Sequence, residues 1–142
     1  RGESVVSYIR IGEKIYSPLI KKGEADILLA FEKLEALRWL AYLKKDSLIL
    51  INNQTIKPTY SDFKVSSQKI DFFLNQRKVK LIPIINLIKS PKSVNVFMIG
   101  ILSKYFKDIN LTIWEKIISQ NVPTRTIKYN IKIFRTGRNF KI

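Results

Sequence analysis

Positions 4–11 read SVVSYIRI, rich in β-branched and aromatic residues, and 14–17 (KIYS) resume that character after Gly12-Glu13. Two such runs joined by a two-residue connection holding a glycine predict an antiparallel β-hairpin over 4–17. Pro18, which cannot donate to a ladder, closes it. A continuously apolar stretch follows at 26–31 (DILLAF), after which Leu34, Leu37 and Leu40 or Ala41 recur at helical spacing through 32–43. A strand buried on both faces that leads straight into an amphipathic helix predicts a βα unit. The buried-strand signal returns at 47–51 (SLILI), closed by Asn52-Asn53, and at 79–85 behind a helical stretch over 66–78. Three helices complete the pattern, over 93–106, 111–120 and 124–136. The first carries Val94, Phe97, Met98, Ile101, Leu102 and Phe106 on one face, and the last is entered from Pro123 and stopped near Gly137. Strands alternating with helices predict an α/β fold with a mostly parallel sheet.

The whole reads as a single three-layer, Rossmann-like α/β domain over 1–142, with the hairpin as its antiparallel part. Its 142 residues, 46% apolar and 26% charged, suffice for one core. The chain has no Cys and no His, which excludes more than its motifs establish. Iron–sulfur clusters need thiolates and structural zinc needs Cys or His. Ser-His-Asp and Cys-His catalysis both need an imidazole, and a disulfide-stapled secreted domain needs cystines. A reducing cytoplasm is the expected location. No apolar run reaches the roughly 18 to 20 residues of a membrane-spanning helix, since Pro83 and Asn86 interrupt 81–88; no membrane association is expected. The sequence opens on Arg rather than Met and shows no signal peptide, so further residues are expected upstream.

Charge changes the picture in the second half. Residues 1–71 hold 12 Lys and Arg against 9 Asp and Glu, whereas residues 72–142 hold 14 against 2. Such a field attracts an anionic cofactor, an acidic protein surface or nucleic acid. Within it Arg125, Lys128, Lys132 and Arg135 fall on one side of the last helix, with Ile127, Ile131 and Phe134 on another. The plain reading is an amphipathic helix with a solvated basic face. A nucleic-acid face would add stacking aromatics or a fold signature, and neither is evident. Glu24 and Asp26 finish a loop before a strand, with Lys21 and Lys22 in reach of Glu24; a catalytic carboxylate pair there would lack the nucleophile, imidazole or metal such pairs join. Glu32 and Glu35 suit the positive end of a helix dipole, and Arg38 pairs with Glu35. Neither a G-x-G-x-x-G nor a Walker loop is present.

Arg1-Gly2, then Ser4-Val5-Val6-Ser7-Tyr8-Ile9-Arg10-Ile11-Gly12, Ile15-Tyr16-Ser17-Pro18-Leu19-Ile20, Gly23-Glu24-Ala25-Asp26, Leu29-Ala30-Phe31-Glu32 and Leu34-Glu35-Ala36-Leu37-Arg38 form an ordered series. It resembles the small (γ-type) subunit of 2-oxoacid:ferredoxin oxidoreductases, in the branch of the β subunit of indolepyruvate:ferredoxin oxidoreductase. Asn95, Met98, Gly100 and Leu102 resemble the family's late helix, and Val122-Pro123, Asn130, Phe134 and Gly137 its closing one. The chain departs from the pattern at Glu3, where a second Gly is usual, at Tyr8, where many members have His, and at Lys33, where many have Pro. The family's Gly-rich first βα segment is expected to precede Arg1 and is not among residues 1–142.

The resemblance implies a subunit that is not catalytic alone. A large (α) subunit would hold thiamine diphosphate, Mg and [4Fe-4S] clusters, and the complex would oxidatively decarboxylate aryl 2-oxo acids such as indolepyruvate to acyl-CoA while reducing ferredoxin. Arg1, Ser4, Tyr8 and Arg10 are the candidate cofactor contacts; no catalytic residue or metal ligand is implied. The basic half would match an acidic large subunit or the phosphates of coenzyme A, or serve solubility. Two alternatives stand: the γ subunit of a pyruvate or general 2-oxoacid enzyme, and, from another class, a basic nucleic-acid-binding α/β module.

Overall fold

The computed structural model describes residues 5–55, 71, 72, 74, 79–84, 87, 88 and 90–142. They belong to an α/β chain that divides into two compact units, 1–81 and 82–142.

In the first unit, strand β1 (Ala25–Ala30) is followed by helix α1 (Lys33–Trp39), a 3-10 turn (Leu40–Tyr42) and strand β2 (Leu43–Asn52). Strand β3 (Val79–Ile82) completes a sheet of order β1-β2-β3. β1 and β2 run parallel, with Ile27 opposite Leu48 and Ala30 opposite Ile51, and the register shifts between Ala25 and Ile27. This is the βα unit that the apolar runs predict. β2 is longer than SLILI because, after the buried Leu43, it passes through exposed Lys44, Lys45 and Asp46 before its buried end, Ile49 to Asn52; a solvated stretch of strand leaves no hydrophobic mark. β3 ends at Ile82, ahead of Pro83, which has no amide to extend a ladder.

The core of this unit gathers Ala25, Ala30, Ala36, Leu43, Ile49, Ile51 and Leu74. Full burial of an Ile such as Ile51 is worth roughly 1.5–3 kcal/mol. Polar ties hold the ends of the elements. Glu32 caps α1 by accepting from the Glu35 amide at 2.6 Å. The buried Asn52 amide donates to the Phe31 carbonyl at 3.1 Å, fastening the end of β2 to that of β1. The Lys33 amide donates to the Gln54 carbonyl at 2.9 Å. Before β1, Gly23 takes a φ of 78°, a left-handed turn that suits glycine, and its amide donates to the Ala41 carbonyl.

The antiparallel hairpin expected over 4–17 does not form. Residues 5–20 contain no strand. β-branched residues favour a strand only when a packed neighbour receives them, and a two-stranded ribbon alone is marginal. Here Val5 and Tyr16 are 92% and 85% exposed and Ile9 and Ile11 are also open to solvent, so no face is buried to drive pairing. The helix expected over 66–78 lies outside the described residues apart from 71, 72 and 74, which are helical.

The second unit is helical. A 3-10 turn (Pro91–Ser93) leads into α2 (Val94–Ser103), followed by α3 (Leu111–Asn121) and, after a 3-10 turn (Thr124–Thr126), by α4 (Ile127–Asn139). Asn110 caps α3 by accepting from the Thr112 amide at 3.1 Å. α2 and α4 pack at very close range. A Cβ on Gly137 would fall on the Phe97 carbonyl, and one on Gly100 would strike the Phe134 carbonyl and lie 2.9 Å from the Arg138 nitrogen. Gly137 therefore does not stop the last helix, as its position suggests; the helix runs through it to Asn139 because the residue is spent on backbone contact. Arg138 donates to the carbonyl of Ser103 at 2.9 Å and to its hydroxyl at 2.7 Å, a cation on the negative end of α2. Trp114 of α3 stacks on Phe134 of α4 at 6.2 Å. Among the described residues no helix is long and apolar enough to cross a membrane.

Candidate functional site

The segment leading to β1 meets the rest of the first unit through a candidate residue, Tyr8, as well as through Ile20, which packs against the core. Tyr8 stands edge-on to Trp39, with ring centroids 6.0 Å apart and planes at 83°, and lies 6.4 Å from Tyr42. Trp39 and Tyr42 are themselves 5.0 Å apart. Trp39 closes α1 and Tyr42 closes the 3-10 turn, so the break from helix to turn is what sets the two rings side by side. Desolvation raises the Tyr8 phenol above its ordinary range, and the charge and hydrogen bond of Tyr42 raise it further. At neutral pH it is a neutral anchor.

Arg10 works within its own segment. Its Nη1 donates to the Leu19 carbonyl at 2.7 Å, and its Nη2 lies 3.9 Å from Glu24. Arg1 and Ser4 lie outside the described residues. The structure thus joins Tyr8 to Trp39 and Tyr42, which the sequence reading left out. Their three-residue spacing at the end of an amphipathic helix is a faint sign of a shared side.

Several carboxylates of the first unit have structural partners. Glu24 also accepts from the Lys21 amide at 3.3 Å. Asp26 pairs with Lys44 at 2.5 Å beside a shallow, open depression lined by Lys45, Asp46 and Ser47. Glu35 pairs with Arg38 at 3.3 Å. Lys33, nearly buried, meets Asp71 at 2.8 Å.

In the second unit the basic stripe divides. Arg135 clasps Glu115 with bonds of 2.6 and 2.9 Å. That hydrogen bond chiefly, with the guanidinium charge, holds the Glu115 carboxyl below its ordinary range against desolvation. Burial lowers the Lys104 ammonium, which donates to the Phe140 carbonyl at 2.7 Å. Arg125, Lys128 and Lys132 stay exposed.

The donor set does not fit an iron–sulfur cluster. The chain has no Cys or His, and among the described residues no three of His, Cys, Asp and Glu converge.

Residues 1–140 match the model of the family described as pyruvate ferredoxin/flavodoxin oxidoreductase. Among individual proteins, the chain is similar to indolepyruvate oxidoreductase subunit IorB of Thermococcus kodakarensis, 31% identical over 150 residues that cover 94% of this chain and 72% of that protein. The subunit of the same name from Archaeoglobus fulgidus is 30% identical over 149 residues, 98% of this chain and 74% of the relative. That of Pyrococcus horikoshii is 28% identical over 145 residues, 94% and 72%.

Proposed function

This chain belongs to the pyruvate ferredoxin/flavodoxin oxidoreductase family, and from that membership we propose that it is the small subunit of a complex that oxidises indolepyruvate and related aryl 2-oxo acids to acyl-CoA with reduction of ferredoxin. The observation that carries the reading is the similarity to three archaeal subunits named for indolepyruvate, each matched over 72–74% of its length. The resemblance read from 1–38 and from the late helices is borne out at the level of the family.

In this reading thiamine diphosphate, Mg, [4Fe-4S] clusters and coenzyme A are held mainly by a large partner subunit; the clusters must be, because a chain without thiol or imidazole offers no cluster ligand. This chain contributes shape and contact. Tyr8 on Trp39 and Tyr42 fixes the segment that carries the family-like series, and residues 1–142 act as its γ-type domain in a reducing cytoplasm. Purification of the native protein tests the reading. It predicts co-elution with a thiamine-dependent, iron-bearing subunit; a chain recovered without one contradicts it. The family's description favours a second reading, a pyruvate or general 2-oxoacid enzyme. Rates of the assembled complex on indolepyruvate, phenylpyruvate and pyruvate separate the two, and the first predicts the aryl substrates to lead.

A further inference from the structure

The second unit carries 11 Lys and Arg against 2 acids over 82–142, and three of these cations work inside the fold. Arg135 is spent on Glu115, Arg138 on Ser103 and Lys104 on the Phe140 carbonyl. Arg125, Lys128 and Lys132 are different. They recur at three- and four-residue spacing along the 3-10 turn and α4, all exposed, while Asn130, Ile133, Phe134 and Gly137 bury the helix's other face. Among the described residues none of the three has an ion-pair partner, and the nearby acid of α3, Glu115, is already engaged.

The row does nothing for the helix that bears it. Arg125 and Lys128 sit at the amino end of α4, where the dipole is positive and where the first turn holds no acid, so they add to the local charge instead of opposing it. Lys128 and Lys132, one turn apart, repel each other. An acidic surface brought against the row would reverse the sign of both effects and speed encounter. The same unit leaves Ile113 and Ile117, each 52% exposed, one turn apart on α3 on either side of Lys116. Exposed apolar side chains offer area that a protein partner can bury and a phosphate backbone cannot, which favours a protein over a nucleic acid as the partner.

We propose that Arg125, Lys128 and Lys132 form a steering contact through which this chain docks on an acidic face of its large partner subunit. The proposal rests on the subunit reading and adds the site. It is tested by surface plasmon resonance of the full chain against the separately purified partner subunit at low and high salt. Three proteins are compared: the wild type, the triple variant R125E/K128E/K132E, and a control, K92E/K107E/K141E, that changes net charge equally. Matching thermal melts check that all three are folded.

The expected result is tight, salt-sensitive binding of the wild type, loss on the order of tenfold or more in the R125E/K128E/K132E variant, chiefly in the association rate, and a much smaller loss in the control. Equal losses in both triples, or none in the first, overturn the docking site while leaving the subunit reading intact. A wild type that does not bind the partner overturns both. Wild-type binding displaced by a short oligonucleotide that itself binds with a steep salt dependence assigns the row to nucleic acid and overturns the proposal.

Discussion

Gly137 lies against the Phe97 carbonyl and Gly100 against that of Phe134, so two residues without side chains let α2 and α4 meet backbone to backbone. Gly137→Ala would gain up to about 1 kcal/mol of helix propensity, but its methyl group meets peptide atoms that cannot rotate away, an overpacking cost of roughly 1–3 kcal/mol or more. The net effect is destabilising, and a lowered urea midpoint measures it; a midpoint at or above the wild type contradicts the close crossing. Glu115 gives a pH-dependent counterpart. Its folded carboxyl titrates lower than in the unfolded chain, so its contribution is present above the ordinary glutamate range and is lost as pH falls through the lower folded value. Glu115→Gln should therefore flatten the acid limb of the stability curve and change its neutral part less; unchanged acid unfolding would refute the pairing. The cations of this helix were legible as a stripe from their spacing. That Arg135 is neutralised and its neighbours are not depends on a residue 20 positions away, beyond what the periodicity of one helix encodes. Gly137 misled for the same reason, since its partner is on another helix.

At the scale of elements, β1, α1, β2 and the three C-terminal helices follow from runs and periodicities that have burial behind them. The ends of β2 and the expected hairpin do not, because solvated ladders and unpacked β-branched residues break the link between composition and structure. The segment over 5–20 leans on the rest of the unit through Tyr8 and Ile20, while the bond from Arg10 to Leu19 ties it to itself. Removing the ring in Tyr8→Ala forfeits aromatic contacts worth about 0.5–1.5 kcal/mol and leaves the core of the first unit untouched. Hydrogen exchange and limited proteolysis should quicken over 5–20 while the melting temperature falls only slightly. A large cooperative loss of stability would mean that the segment is integral to the core. The candidate site was half legible: Tyr8 and Arg10 stand in the family-like series, whereas Trp39 and Tyr42 are brought to Tyr8 only by the turn that ends α1.

For the molecule as a whole, the excess of 15 positive charges and the want of thiol and imidazole fit the proposed reading, in which a partner subunit carries the clusters. Raising salt should slow assembly with the partner through screening of the exposed cations, as stopped-flow association rates would show. The most direct measurement is reconstituted turnover: indolepyruvate-dependent reduction of ferredoxin, with coenzyme A present, by this chain alone, by the purified large subunit alone and by the two together. The expected result is no turnover by this chain alone and full activity only with both. Oxidation of a 2-oxo acid by this chain alone, or a large subunit whose rate is indifferent to its addition, would contradict the account.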